Sequence, residues 1–306
     1  MRDTQPQAAA PLLDAESFEA LRQLVTQHAG MYLSEDNQGR LRRIVTSRLR
    51  ALSLDRFATY HRLLTRDDAA GAEERSCLID AVTNTETYFF REAQQLEVFG
   101  LDVVPELLAR RRSRRRLAVW SAGCSSGEEP YTLAVLLLRH PRWEAELAGW
   151  DVRILGTDVN RRVLARARDG RYAVTAFKGL DDAERERLQR ESFTRDGEHF
   201  LVVPAVRRLV TFLQLNLVDA SVAGLIGEMD AIFCRNVLMY FPQPVRLAVV
   251  QTFYRRLAVG GYLFLGHSEN LLGVVTPFEL CRRRGQLVYR KPARLPDGLP
   301  AADWGP

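Results

Sequence analysis

One segment, residues 119–132 (VWSAGCSSGEEPYT), joins an apolar stretch to a helical one through a turn rich in small residues. Residues 117–120 have the composition of a buried strand, and Gly123 and Gly127 allow the backbone to turn tightly against a ligand. Pro130, followed by leucines at helical spacing, predicts that a helix begins directly after the turn. The segment therefore predicts a strand–loop–helix unit of Rossmann type with a nucleotide-like ligand on its loop.

The composition of this turn favours a cationic ligand over a dinucleotide. A dinucleotide fingerprint has three glycines as G-x-G-x-x-G, whereas this turn has two glycines four positions apart, followed at once by acidic residues. S-adenosylmethionine carries no phosphate and has a cationic sulfonium and amino group, so a turn flanked by carboxylates suits it. Asp158 ends the next apolar run, 35 residues after Gly123, and a carboxylate there can accept hydrogen bonds from both ribose hydroxyls. Two alternatives stay open: Glu129 closes a capping box with Ser126, and Asp158 is a turn residue.

Composition narrows the class of protein. The chain has 306 residues with an apolar fraction of 46%, which is typical of a globular protein. No run approaches the roughly 18 apolar residues of a membrane span, and the start lacks the apolar core of a signal peptide, so we expect a cytoplasmic protein. The four cysteines form no C-x-x-C pair and the five histidines complete no metal-ligand spacing. This pattern predicts reduced thiols and no metal site.

Two basic blocks contribute to the net charge of +5. On a helix predicted over residues 37–52, Arg40, Arg43 and Arg50 can share a surface opposite an apolar stripe, and such a face could dock an acidic partner. The second block, residues 110–116, contains six arginines at the end of a predicted helix. A solvated helix end accounts for the second block, and contact with nucleic acid is the alternative.

The chain divides into segments of different pattern. Residues 1–14 are rich in Ala, Pro and Gln, and residues 292–306 are rich in Pro; both are predicted to be disordered. Residues 15–82 carry amphipathic helical patterns without strand alternation, which predicts an all-helical N-terminal domain. Residues 83–291 form the second predicted domain.

Within the second domain, strands and helices alternate, which predicts a mostly parallel sheet covered by helices on both faces. The pattern changes over about 172–213. There, residues 199–203 and 207–214 alternate apolar and polar side chains around a short connection, as an inserted antiparallel hairpin would. The main-sheet strands are predicted at 117–121, 152–157, 229–234 and 261–266.

Six sequence blocks occur in the order found in one protein family. They are TNTETYFFRE (83–92), WSAGCSSGEEPY (120–131), GTD (156–158), NL (216–217), DAIFCRNVLMYF (230–241) and GHSEN (266–270). From about residue 16 to 290 the chain resembles the CheR-type chemotaxis receptor methyltransferases. The resemblance implies an α/β, Rossmann-like class I methyltransferase with a mostly parallel sheet, a small inserted antiparallel β-subdomain and an N-terminal all-helical domain. It also implies methylation of glutamate side chains on receptor helices, with S-adenosylmethionine as methyl donor and a methyl ester as product.

The resemblance implies that three residues in the block before the first strand contact the cofactor: Thr85, Thr87 and Arg91. The family has an asparagine where this chain has Thr85, and an asparagine stands one position earlier, at Asn84. Either the Thr85 hydroxyl or the Asn84 amide is then the contact. Arg91 is also an implied catalytic residue, because it could hold the carboxylate of the cofactor or orient the incoming glutamate.

The resemblance implies further site residues at the ends of the strands. Tyr240 would stand close to the transferable methyl group, and with Arg91 it completes the implied catalytic pair. The other cofactor contacts are Glu129 near the methionine end, Asp158 on the ribose, Asn216 and Leu217 around the adenine, and Asn236 and Val237 after the fourth strand.

The implied partner is the cytoplasmic helical domain of a methyl-accepting chemoreceptor, itself anchored in a membrane. Arg40, Arg43 and Arg50 would dock its acidic helices. The turn near residues 203–207 has no Gly-Gly pair, which predicts recognition that does not depend on a terminal receptor peptide. We expect a monomer with no nucleic-acid partner and no membrane insertion.

Two other functions compete with protein methylation. A nucleic-acid methyltransferase would carry a D/N-P-P-Y/F turn or a Pro-Cys nucleophile, and neither Pro-Pro nor Pro-Cys occurs in the chain. A non-catalytic module that senses S-adenosylmethionine would be expected to lose residues near the methyl group such as Arg91 or Tyr240. Both are present.

Overall fold

The chain folds into two units that divide between Asn84 and Thr85. The computed structural model describes residues 14–219, 221, 224–296 and 304. The two segments predicted to be disordered are 1–14 and 292–306. Only Asp14, residues 292–296 and Trp304 of them are described, and the rest lie outside the described residues.

The first unit is helical, as predicted. Asp14 caps its first helix by accepting a hydrogen bond of 2.8 Å from the Ser17 N–H, and Gly30 ends that helix with a left-handed φ of 71°. Between residues 14 and 84 the helices are α1 (Ala15–Ala29), α2 (Gln38–Ala51), α3 (Phe57–Leu64) and α4 (Ala69–Val82), with a 3₁₀ turn at Glu35–Asn37.

A charged cluster inside this unit ties three helices together. Arg48 of α2 donates to both carboxylate oxygens of Glu74 on α4, at 2.8 and 2.5 Å, and Tyr60 of α3 donates to the same carboxylate at 2.8 Å. Because Glu74 is buried, its charge needs these partners. Arg48 is therefore structural, whereas Arg43 and Arg50 point away from the apolar face of α2 and are exposed.

The second unit is built on a seven-stranded sheet. Its strands are β1 (Arg116–Ala122), β2 (Asp151–Asp158), β6 (Val210–Gln214), β7 (Met229–Cys234), β8 (Leu257–Leu265), β9 (Glu279–Arg283) and β10 (Gln286–Arg290). Their order in the sheet is β6-β2-β1-β7-β8-β10-β9. The first five strands in this order are parallel to one another. Strand β10 is antiparallel to β8, and the edge strand β9 is antiparallel to β10. The predicted Rossmann-like α/β fold is confirmed.

Helices accompany the strands of this sheet. Every residue of β7 is buried, as expected for a strand inside a sheet covered on both faces. The helices are α5 (Ala93–Val98), α6 (Val104–Arg111), α7 (Glu128–Arg139), α8 (Pro141–Glu146), α9 (Arg161–Asp169), α10 (Asp182–Ser192), α11 (Pro204–Arg207) and α12 (Gln243–Arg256). Within the described part of the chain, every helix is too short or too polar to span a bilayer.

The inserted antiparallel sheet is present, but the predicted pairing of its strands was wrong. Strand β5 (His199–Val202) pairs with β3 (Arg171–Ala173) and β4 (Phe193–Asp196), whereas β6 pairs in parallel with β2 in the main sheet. Strand β6 is half-exposed because it lies at the sheet edge, so its side chains alternate as those of a hairpin do. The short connection before it is the helix α11, which begins at Pro204.

Candidate active site

The sequence-predicted residues gather where parallel strands end. Because β6, β2, β1 and β7 run in the same direction, their carboxyl ends lie at one edge of the sheet. Asp158 is the last residue of β2, and Asn216 and Asn236 each stand two residues after a strand. The Leu215 N–H donates to the Asp158 carbonyl at 2.9 Å, which joins two of these strand ends directly.

The loop after β1 requires glycine at its first turn. Gly123 has a φ of +82°, and a Cβ atom on it would lie 2.4 Å from a methyl carbon of Val237. The N–H groups of Gly123 and Cys124 both donate to the Thr157 carbonyl at 2.8 Å. The loop is thereby held against β2 on one side and Val237 on the other.

Asp158 is oriented by backbone N–H groups. One carboxylate oxygen accepts from Asn160 at 2.9 Å, and the other accepts from Ser125 at 2.8 Å. The first bond is the local contact expected of a turn residue. The second crosses to the loop after β1, 33 positions away in sequence, so a local turn does not account for the whole role of Asp158. Asn160 caps α9 as its position suggests.

Glu129 does not close a capping box, so that alternative is wrong. The Ser126 hydroxyl donates to the neighbouring Glu128 at 2.8 Å instead. The carboxylate of Glu129 accepts a bond of 2.6 Å from the Ser121 hydroxyl and pairs with Arg235 at 3.1 Å. Helix α7 begins at Glu128 with Gly127 as its capping residue, one residue later than a capping box between Ser126 and Glu129 requires.

Arg235 connects the separate parts of the site, and sequence reasoning gave it no role. Its side chain is 3% exposed. Its guanidinium donates to Glu129 at 3.1 Å and to the Arg91 carbonyl at 2.5 Å, and it pairs with Glu92 at 3.2 Å. Its position was the sequence signal that could have revealed this role, because Arg235 directly follows the six buried residues of β7. A charge buried at such a position needs partners.

The block before β1 is fixed at both ends. The Ser125 hydroxyl donates to the Thr85 carbonyl at 2.8 Å, and the Arg91 carbonyl is held by Arg235. Between them, Phe89 is fully buried and stacks on Phe177 with ring centroids 5.0 Å apart. Thr85 is exposed and Thr87 is half-buried.

The side chain of Arg91 stays near this block. It donates to the Glu86 carbonyl at 2.9 Å and lies over the Tyr88 ring, 5.7 Å from its centroid. The carboxylate of Glu86 pairs with Lys178 at 2.7 Å. Arg91 is therefore held by a backbone carbonyl and an aromatic ring of its own block.

A second acid shapes the loop after β7. The Glu269 carboxylate accepts from the N–H groups of Asn236, Gly266 and Met239, at 2.6, 2.9 and 3.0 Å. It holds Asn236 at a left-handed φ of 59°. Tyr240 follows on a 3₁₀ turn and is half-buried. Glu269 lies in the last recognised sequence block but had no predicted role.

The remaining predicted residues make contacts of their own. Asn216 uses its side-chain oxygen to accept from the Val218 N–H at 3.3 Å, and Leu217 is buried. The three docking arginines belong to α2 in the first unit, where Arg40 donates to the Thr83 carbonyl at 2.9 Å. In the described part of the chain, no group of three or more His, Cys, Asp or Glu residues is arranged to hold a metal ion.

Burial gives Glu128 an unusual pKa. The carboxyl group accepts from the Ser126 hydroxyl, but desolvation raises its pKa from an ordinary value of 4.5 to about 7. Folding therefore favours the protonated form. Its contribution to stability is complete below pH 4.5 and is lost as the pH rises through 7.

We expect Glu128→Gln to make stability less dependent on pH. The free energy of unfolding, measured with urea, should fall between pH 5 and pH 8 by more in the unsubstituted protein than in the variant. The difference between the two falls should be on the order of 3 kcal/mol at most. Other groups titrate in both proteins and serve as the internal control. Equal losses in the two proteins would show that Glu128 is ionised at both pH values.

Protein-family models match both units of the chain. The all-alpha domain of CheR methyltransferase matches residues 16–83, and the SAM binding domain of CheR methyltransferase matches residues 85–286. A probable chemotaxis protein methyltransferase of Rhizobium etli is 35% identical over 250 residues, which cover 82% of this chain and 91% of that protein. Chemotaxis protein methyltransferase 2 of Vibrio cholerae is 34% identical over 90% of this chain and 92% of its own length. The chemotaxis protein methyltransferase of Salmonella typhimurium is 34% identical over 89% and 88%.

S-adenosylmethionine is the cofactor of the second unit, as the composition of the turn after β1 predicted. The donor set fits this ligand, because carboxylates rather than phosphate-binding cations stand at the loop. Glu129 and Asp158 are each held in place by hydrogen bonds from residues of neighbouring strands or loops.

Proposed function

The chain belongs to the CheR methyltransferase family, and from that premise we propose that it methylates glutamate side chains on the helical domain of a chemoreceptor, forming methyl esters. The observation that carries the proposal is the Arg235 network, which joins Glu129, at the predicted cofactor site, to Arg91, at the predicted acceptor site. The receptor domain would be cytoplasmic, and the enzyme would act there as a monomer.

Each predicted cofactor contact has a place in this proposal. Bound S-adenosylmethionine supplies an activated methyl group on its sulfonium. Asp158, oriented by two backbone N–H groups, would bind the ribose hydroxyls, and Glu129 would bind the methionine end. Arg91 would bind at the same end. The further proposed contacts are Thr85, Thr87, Asn216, Leu217, Asn236 and Val237.

The chemistry needs orientation more than proton transfer. A glutamate side chain has an unperturbed pKa of about 4.3, so at neutral pH it is already a nucleophile and needs no strong general base. In-line attack on a sulfonium methyl requires the carboxylate oxygen, carbon and sulfur to be collinear, and such positioning can contribute roughly 7–11 kcal/mol in favourable models. We propose that Arg91 and Tyr240 supply this orientation.

We expect Arg91→Ala to lower methyl transfer about tenfold or more, because a charge-assisted hydrogen bond at the reacting end is lost. Tyr240→Phe should lower it by a smaller factor, since a neutral hydroxyl is removed. Both losses should exceed any change in the free energy of unfolding. A suitable control is Arg195→Ala, because Arg195 also donates to a backbone carbonyl, that of Gly197, on an exposed surface. Wild-type turnover in either variant would remove that residue from the reaction.

Substrate docking is proposed on the outer face of α2. Charge reversal at Arg43 and Arg50 should raise the apparent KM for the receptor and leave cofactor affinity unchanged, because the arginine face steers an encounter that salt screens. Arg42→Glu is the matched control, since Arg42 is exposed on the same helix but lies about 100° around its axis from Arg43.

Receptor kinetics at several salt concentrations measure this effect. Equal KM values for the reversed and control variants would remove this face, including Arg40, from docking. The proposed recognition does not depend on a terminal receptor peptide. In the inserted sheet, β4 and β5 are joined by Gly197 and Glu198 alone, which leaves no enlarged glycine-rich turn at that point.

The function itself is tested by incubating the protein with methyl-labelled cofactor and receptor fragments. Label that is released from the receptor by mild base is the expected result, because carboxyl methyl esters hydrolyse under those conditions. Cofactor binding without transfer to any fragment would favour the non-catalytic sensing module. Transfer to nucleic acid in place of receptor would overturn the proposal.

A further inference from the structure

Two cations lie over the ring of one tyrosine beside the candidate site. The Lys178 ammonium is 5.0 Å and the Arg91 guanidinium is 5.7 Å from the centroid of the Tyr88 ring. The ring rests against Gly179, where an added Cβ would lie 2.6 Å from a ring carbon. A side chain at position 179 would therefore displace the Tyr88 ring and disturb its contacts with both cations.

The backbone around this tyrosine is anchored to the inserted subdomain. The Phe89 N–H donates to the Ala176 carbonyl at 2.9 Å, and the buried Phe89 ring packs on Phe177 and Phe193. These contacts fix the segment that carries Tyr88 against the segment that carries Lys178. The pair of cations is thus positioned by the core rather than by surface side chains alone.

A carboxylate already pairs with one of these cations. Glu86 accepts a hydrogen bond of 2.7 Å from Lys178, and its backbone carbonyl accepts one from Arg91. The hydrogen bond from Lys178, and then the charges of Lys178 and Arg91, lower the pKa of Glu86, so the side chain is ionised at neutral pH. Both members of the pair remain open to solvent, with side chains 50% and 60% exposed for Lys178 and Glu86.

We propose that Lys178, Tyr88 and Arg91 form a binding subsite for an acidic side chain of the methyl-accepting protein, and that Glu86 occupies this subsite in the free enzyme. The inference rests on the proposed function, because it assigns the subsite to the same substrate. Glu86 presents the chemical group that the substrate would present, so one carboxylate replaces the other on Lys178. Glu86 then acts as an internal competitor that weakens substrate binding.

The size of the effect follows from the exposure of the pair. An exposed ion pair changes an equilibrium constant by up to about fivefold. Glu86→Gln should therefore tighten binding of an acidic substrate by about two- to fivefold, and Lys178→Gln should weaken it by a similar factor. In the double variant, the Glu86 substitution should have no further effect, because the cation for which the two carboxylates compete is gone.

Binding of a synthetic helical peptide rich in glutamate, measured by fluorescence anisotropy on the full-length protein, tests this without turnover. The same peptide with glutamine in place of glutamate is the ligand control. Asp151→Asn is the protein control, because the Asp151–Arg153 pair is also exposed and Asp151 is at the start of β2, at the opposite end of that strand from Asp158. Receptor KM values for the same variants provide a second measurement.

Tighter binding by Glu86→Gln that disappears in the double variant supports the subsite. Unchanged or weaker binding by Glu86→Gln, or a gain that persists without Lys178, overturns it. The proposed function can fail separately: if no methyl ester forms but the glutamate peptide binds with this dependence on Glu86 and Lys178, the subsite stands and the reaction does not.

Discussion

Replacing Arg235 with alanine is expected to lower the free energy of unfolding by about 3–5 kcal/mol and to abolish methyl transfer. The substitution leaves the carboxylates of Glu129 and Glu92 without their shared cation, and it frees the Arg91 carbonyl. Because the guanidinium is almost completely buried, water does not replace these bonds at low cost. Urea unfolding and receptor methylation measure the two effects.

Two further variants separate charge from geometry in this prediction. Arg235→Lys keeps the charge but has no planar fork to reach several acceptors at once, so we expect it to recover part of the stability and little of the activity. Arg153→Ala removes an exposed arginine paired with Asp151, and it should cost less than about 1 kcal/mol. Equal stability of the Arg235 and Arg153 alanine variants would contradict a central role for Arg235.

The second large effect is expected at Asp158. Asp158→Ala should weaken cofactor binding about tenfold or more, since the ligand hydroxyls lose a charged acceptor that contributes roughly 1.5–3 kcal/mol. Calorimetric titration with S-adenosylhomocysteine measures this loss without turnover. Asp158→Asn keeps one acceptor oxygen and should retain part of the affinity. Unchanged affinity in the alanine variant would place the ribose elsewhere.

The backbone of the site could be predicted from sequence because its signals are local. Gly123 and Gly127 indicated the turn, and Asp158 was recognisable as a polar residue at the end of an apolar run. These features depend on a few neighbouring residues and on the directions of parallel strands. The helical unit could be predicted for the same reason, because each amphipathic pattern lies within a single helix.

Contacts between segments distant in sequence could not be predicted from such local patterns. Arg235 and Glu269 act on loops far away in sequence, and no periodicity shows which carbonyl or carboxylate a buried charge will meet. The strand β6 was assigned to the wrong sheet for a related reason. Alternation of polar and apolar residues reports that one face is buried, but it does not identify the partner strand.

The span of these contacts has a consequence for how the protein is made. The bond from Arg235 to the Arg91 carbonyl joins positions 144 residues apart, and the bond from Gln95 to the Leu265 carbonyl joins positions 170 apart. Contacts across such distances form late, because a long loop must close before they contribute. A nascent chain that ends before β7 lacks the arginine that holds Glu129. Resistance to proteolysis gained on adding cofactor should therefore appear only in chains synthesised beyond this strand, which makes ligand protection a marker that the site has assembled.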